Sequence, residues 1–261
     1  MKKLRKIGLW AAIIAYFILI TGFVAGRRQD TLCNKVSITI ADSLSKRFID
    51  KTDIITLLDN NKKLSLGNSI EEINTHQIEH LILSNSLVKK CKVYTTINGK
   101  LNIELEQREP VVRIIDKNNK SYYLDVEGSI IGPSKRFTPH LLVVNGNINT
   151  PFNPEKVENI YDRNFDNKAK TLREIHKMAL YIASDKFWEA QIVQLYVDKK
   201  GEYELIPRIG PHIIQLGTYE HFEDKFEKLW IFYNEGLKNV GWNKYLKIDL
   251  KYKDQIVCSK I

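Results

Sequence analysis

The residues with the most chemical potential in this 261-residue chain are His76, Glu79 and His80, in the string His76-Gln77-Ile78-Glu79-His80. As H-x-x-E-H it has the spacing of an inverted zincin, in which two histidines hold zinc and the glutamate acts as general base. Such a site needs a water-excluded pocket and a third ligand. The flanking apolar residues Ile70, Ile73, Ile78, Leu81 and Ile82 form one helical stripe. On that wheel Glu79 lies opposite the stripe and faces water, His76 lies off it, and His80 only borders it. The expected reading is a solvated helix face. Cys33, Cys91 and Cys258 are odd in number and never spaced C-x-x-C, so neither a disulfide framework nor a zinc ribbon is indicated. His140, His176, His212 and His221 are scattered, and no G-x-S-x-G, phosphate-binding or dinucleotide glycine pattern is present. Neither a cofactor nor a catalytic residue is nominated.

The elements that would position these residues begin with Ile7 to Gly26, twenty residues without a charge. As a helix this run covers about 30 Å, the thickness of a bilayer's hydrocarbon core. Lys2, Lys3, Arg5 and Lys6 precede it, which favours a cytoplasmic N-terminus, and Arg27 and Arg28 follow it. A cleaved signal peptide would have a shorter apolar core and small residues at the cut, where Phe23 is large. The formal charge of +9 invites a nucleic-acid reading. However, residues 1–28 hold six basic side chains and no acid, so the remainder carries only +3 and is no phosphate-binding surface. Hydrophobic residues make up 43% of the chain, enough for packed cores beyond the anchor.

After the anchor, Val36, Ile38 and Ile40 alternate as a strand. Thr52 or Asp53 could cap a short helix, and Asn68 or Ser69 a second helix running to Leu83. A hairpin follows around Asn98-Gly99. A two-residue turn would mix its faces. A three-residue loop with Gly99 left-handed pairs Thr95 with Leu101, Val93 with Ile103 and Cys91 with Leu105, giving one apolar face. Residues 35–107 thus read β-α-α-β-β. Further strands are expected at Val111–Ile115, Ser121–Leu124, Leu141–Asn145, Gln191–Val197, Glu202–Ile206 and His212–Leu216. Helices are expected at Lys168–Ala183 and Tyr219–Lys238. The second, capped by Thr218, would turn Phe222, Phe226, Leu229, Trp230, Tyr233 and Leu237 to a core. Leu246, Ile248, Leu250 and Tyr252 alternate with polar residues before a turn near Lys253-Asp254.

This order resembles a POTRA domain, and Gln107-Arg108-Glu109-Pro110-Val111-Val112-Arg113-Ile114 resembles the ending of that domain in the cell-division FtsQ (DivIB) family. Ile73-Asn74, Ile78-Glu79 and Gly99-Lys100-Leu101 carry the resemblance upstream. Tyr122-Tyr123-Leu124-Asp125 with Gly128, Gly241-Trp242, Tyr245, Ile248 and Gln255-Ile256-Val257 carry it downstream. Ile131-Gly132-Pro133-Ser134 departs from the family's usual pattern only by a loop glycine.

The resemblance implies an α+β chain. It would have a cytoplasmic tail (1–6), a transmembrane helix (7–26), a POTRA domain (27–110) and a C-terminal domain (111–261) of antiparallel strands with two helices. It implies a non-enzymatic inner-membrane scaffold, periplasmic beyond the anchor and located at the division septum. Its partners would be FtsB- and FtsL-like coiled-coil proteins and other members of the division machinery, with no nucleic acid or small-molecule substrate. The family's contact through an added partner strand maps onto Tyr252, Lys253, Gln255, Ile256 and Val257. Gly99, Arg108, Pro110, Asp125 and Gly128 map onto structural motifs. The competing readings are an envelope zinc hydrolase using the His76/His80 helix and a POTRA-type envelope assembly factor.

Overall fold

A computed structural model describes residues 10–22, 31–41, 48–64, 66–134, 137–151, 153 and 157–260. Residues 10–22 are helical (α1) and exposed. The rest of the expected span, 7–9 and 23–26, lies outside the described residues, as do residues 1–6. Among the described residues no helix is long and apolar enough to cross a membrane.

The chain forms two compact units, Met1–Gln107 and Arg108–Ile261. In the first, β1 (Lys35–Ala41), α2 (Lys51–Asn60), α3 (Thr75–Leu83), β2 (Val88–Thr96) and β3 (Lys100–Gln107) follow one another. The sheet order is β1-β3-β2, with β1 parallel and β2 antiparallel to β3. Ile38, Ile54, Leu58, Ile78, Ile82, Leu101 and Ile103 form the core between the helices and the sheet.

The hairpin takes the bulged form read from the sequence. Cys91, Val93 and Thr95 oppose Leu105, Ile103 and Leu101, and Gly99 has φ +78°. The helix starts differ from expectation. Asp50, not Thr52 or Asp53, caps α2, and Asp53 returns a bond to the Asp50 N–H as its capping-box partner. The second helix does not run from Ser69. Residues Ile70–Glu72 make a single 3-10 turn, and the Asn74 side chain accepts from the Gln77 N–H to start α3 afresh. An asparagine that bonds a nearby backbone group competes with the continuing helix, which accounts for the break.

The second unit contains β4 (Pro110–Ile115), β5 (Ser121–Asp125), β6 (Ile130–Ile131), β7 (Leu142–Gly146), α4 (Lys170–Ser184), α5 (Lys186–Gln191) and β8 (Ile192–Val197). It continues with β9 (Tyr203–Pro207), β10 (Ile213–Gly217), α6 (Phe222–Ile231), β11 (Tyr245–Asp249) and β12 (Val257–Lys260). Its nine strands are ordered β12-β11-β10-β9-β8-β7-β4-β5-β6.

The sheet is mixed, a correction to the antiparallel expectation: β4–β7, β7–β8 and β10–β11 are parallel. Parallel neighbours need long crossovers, and α4–α5 and α6 supply two of them. Strand patterning carries no information about direction, so the sequence did not show this. The helix α5 was also missed; Asp185 nucleates it by accepting from the Phe187 and Trp188 N–H groups.

The last helix begins at Phe222 after His221 adopts a left-handed conformation, φ +56°, so Thr218 is not its cap. It then widens into a π segment, Phe232–Leu237. Phe222, Phe226, Leu229, Tyr233 and Leu237 are buried as expected, whereas Trp230 is half exposed. Trp188 packs edge-on against Phe226 at 5.0 Å between ring centroids, and the core continues through Leu172, Ile175, Leu195 and Leu205.

Candidate functional site

The edge strand β12 lies at one end of the nine-stranded sheet. Ile248 and Leu250 are fully buried and fix β11 to the core, and the Leu250 N–H donates to Gln215 O at 2.9 Å beyond the parallel β10–β11 ladder. Leu246, read as part of the same stripe, is exposed, and the β11–β12 register shifts at its position, between Tyr245 and Lys247. β12 pairs antiparallel with β11, matching Asp249 with Val257, Ile248 with Cys258 and Lys247 with Ser259. Among the described residues no strand lies beyond β12. Ile256 and Cys258 pack against the core and hold the strand down, while Val257 is 43% exposed. Burial raises the Cys258 thiol above its usual range, which disfavours the thiolate form.

The bend between β11 and β12 is built by charge-assisted hydrogen bonds. Lys228 Nζ, on α6, donates to Tyr252 O at 2.6 Å, Lys253 O at 3.2 Å and Leu250 O at 3.3 Å. The Lys251 N–H donates to Asp249 Oδ1, and Lys251 Nζ lies 3.4 Å from Glu202 Oε2. Glu202, with Asp249 behind it, holds the Lys251 ammonium above its ordinary range. A groove of about 730 Å³ lies between this bend and α6, lined by Thr218, Asp224, Lys228, Ile231, Leu250 and Tyr252.

The structure distributes the five mapped contact residues over this edge. Tyr252, Lys253 and Gln255 are exposed in the bend, Ile256 is half-buried beside the core, and Val257 opens β12. In the rest of the edge strand, Cys258 is legible in the sequence as the end of the Gln255–Cys258 segment and Lys260 as an edge lysine, whereas Ser259 is not singled out. A four-residue strand with one half-buried side chain has no usable alternation, so its far end carries no other signal.

A second constellation surrounds Asp125, which is 1% exposed. Its Oδ2 accepts from Arg108 Nη1 at 2.9 Å, and its Oδ1 accepts from the Glu127 and Ser129 N–H groups at 2.9 and 2.7 Å. Arg108 Nη1 also donates to Ser129 Oγ. This turn is the one that needs Gly128, at φ +80°, because a Cβ there would lie 2.6 Å from the Tyr161 ring. Pro110 opens β4 opposite Asp125. His176 Nε2 meets Asp125 O at 2.8 Å and its Nδ1 meets Tyr161 Oη at 2.9 Å. The Asp125 carboxylate is buried and taken up by Arg108 and the turn's N–H groups, so the network organises the fold, with Tyr161 at its exposed rim.

Burial pushes the His176 imidazole below its ordinary pKa, partly offset by the bond to Asp125 O and its charge, and does the same to His212, which meets Tyr233 Oη at 2.9 Å. A histidine whose folded pKa is depressed is protonated first in the unfolded chain. The stability it contributes is therefore complete above about pH 6.5 and declines as pH falls below that value. The urea midpoint of the second unit will drop on acidification through this window. Replacing His176 by Asn will flatten the dependence, and an equal slope in both proteins would refute the assignment.

In the first unit, Glu79 corrects the solvated-face reading. Its Oε1 accepts from the Val93 N–H at 2.7 Å, because α3 packs alongside the outer edge of β2. Glu79 therefore covers an open strand edge and is not a free base. His76 Nδ1 lies 3.8 Å from Glu79 Oε2, and the His76 and His80 rings meet edge-on. Among the described residues no group of three or more His, Cys, Asp or Glu could hold a metal.

With this geometry established, comparison with known proteins gives two matches. The profile described as FtsQ/DivIB, C-terminal related, matches residues 109–259. A POTRA-like domain profile matches residues 31–106. No curated protein matches the chain.

Proposed function

The chain belongs to the FtsQ/DivIB family, whose domains serve cell division as scaffolds, and on that premise we propose that it captures FtsB- and FtsL-like coiled-coil partners by strand addition to β12. The observation that carries this reading is the open outer side of β12 at the end of the nine-stranded sheet. An added strand would satisfy the outward N–H and C=O groups, and side chains beside it would set specificity. Val257 and Tyr252 offer apolar contact, and Lys253 and Lys260 favour an acidic partner segment while discouraging indiscriminate pairing. Lys228 fixes the bend in advance, so less ordering is needed on binding.

The wider setting follows the same reading. Ile7–Gly26 anchors the chain in the inner membrane with residues 1–6 cytoplasmic, and the two units work outside the cytoplasm at the septum, supporting septal peptidoglycan synthesis. The hydrolase alternative would need Glu79 as an available base, and its carboxylate is bonded to β2. Asp125 and Arg108 serve as structural supports for the sheet that presents β12.

The test is co-purification of the full chain with its membrane-bound coiled-coil partners. Of two adjacent strand residues, one N–H points to β11 and the other outward. One of Val257→Pro and Cys258→Pro therefore removes an outward donor and leaves the β11–β12 ladder intact. That variant will keep the wild-type urea midpoint and lose at least about tenfold in affinity, the equivalent of one charge-assisted or two ordinary hydrogen bonds. Wild-type capture by both variants would overturn strand addition at β12.

A further inference from the structure

The first unit carries exposed aliphatic side chains where the chain enters it. Ile97, at the tip of the β2–β3 turn, is 75% exposed, Leu32 is 57% exposed and Leu66 is 52% exposed. The backbone gathers these positions. The Asn34 N–H donates to Gly99 O at 2.8 Å, and Asn34 Nδ2 donates to Asn98 O at 3.0 Å. Leu32 bridges to Ser69, and the Gly67 N–H donates to Cys33 O at 2.8 Å. A Cβ on Gly99 would lie 2.5 Å from Leu32 O, so the turn and the incoming strand are in direct contact. A shallow groove of about 520 Å³ opens here, with Thr31, Ile70, Glu71 and Ile97 among its walls.

We infer that this tip is a membrane-contacting surface, seated in the headgroup layer of the bilayer that holds Ile7–Gly26. The inference rests on the anchor reading given above. Three observations select a lipid surface as the occupant. The first is chain length: the link from Gly26 to Thr31 can reach only about 18 Å, so the place where the unit begins stays close to the end of the apolar run. The second is side-chain type. Aliphatic groups at the apex of a tight turn, with no packing role in their own unit, lower the free energy of a surface seat that buries them at the headgroup–acyl boundary. The third is charge. Lys35 and Lys100 are register partners on β1 and β3 next to the turn, and Arg27 and Arg28 precede it, which suits anionic headgroups. Glu71, in the same groove, opposes deep insertion and keeps the contact at headgroup level.

The experiment uses the full chain in bilayer discs made with anionic phospholipid, with and without bromine on the upper acyl carbons, which quenches indole emission at short range. Ile97 is exposed on a turn, so I97W leaves the fold intact. Trp10 lies within the apolar run and reports on the anchor. In wild-type discs, bromolipid will quench the Trp10 emission that W10F removes. In the W10F background, I97W adds emission that bromolipid will largely abolish. Quenching of Trp10 without quenching of the indole added at position 97 would overturn the tip contact while leaving the anchor in place. Loss of neither signal would overturn the anchor reading and the tip contact together.

Discussion

Asp125→Ala will destabilise the second unit by about 3–5 kcal/mol, because it strands the Arg108 guanidinium beside a site that excludes water. The side chains of Arg108 and Asp125 are 12% and 2% exposed, and their 2.9 Å contact has little competition from solvent. Asp125 also accepts the Glu127 and Ser129 N–H groups that shape the turn, and both would lose their side-chain acceptor. With a urea dependence of about 2 kcal/mol per molar, the midpoint should fall by about 2 M. Arg108→Met should cost less, since Asp125 keeps its backbone donors and the methionine refills part of the volume. The R108M/D125A double variant should be more stable than the sum of the two single losses predicts, the signature of a direct pair. A wild-type midpoint for D125A, or strict additivity, would show that the pair does not hold the turn.

The same residues show what the sequence could and could not disclose. Arg108, Pro110, Asp125 and Gly128 were legible as a motif, and the hairpin register around Gly99 was legible from one physical requirement, a single apolar face. Both are local: the responsible residues lie within one turn or one strand pair. What failed was long-range or cooperative. The parallel pairing of β7 with β8 and of β10 with β11 depends on how crossovers pack, which no alternation encodes. Glu79 read as solvated because the wheel knows the helix's own stripe and nothing of β2 beside it. The edge strand was placed a few residues early. The residues that carry the resemblance, Gln255 to Val257, straddle the point where the bend becomes β12, and pairing with β11 alone decides where the strand starts. His176 reads in the sequence only as one of four scattered histidines and Tyr161 is not singled out, although 15 positions apart they meet at 2.9 Å beneath the Asp125 turn.

Gly146 illustrates the gap between a local signal and its consequence, and it carries the other large expected effect. In the sequence it simply closes a strand. In the structure its φ is +112°, and a Cβ would fall 2.2 Å from Val197 O and 2.8 Å from Val197 N. These are backbone atoms of β8, the register partner of β7, so no side-chain rotation can relieve the clash. The Asn147 N–H donates to that same Val197 O at 2.8 Å, and the Ile148 N–H donates to Gly146 O, so displacement would also break the exit from the strand. Gly146→Ala should therefore cost more than about 3 kcal/mol, a loss of the size reserved for strain or overpacking. Gly201→Ala is the matched control. Gly201 has φ +80° in the β8–β9 turn and nothing within 4 Å of its added Cβ, so only the left-handed penalty of about 1–2 kcal/mol applies. If the two variants lost equal stability in urea, backbone conformation alone would explain both. A larger loss at Gly146, with reduced yield of folded chain, identifies the close approach of β7 to β8 as a condition for the sheet that carries β12 at its end.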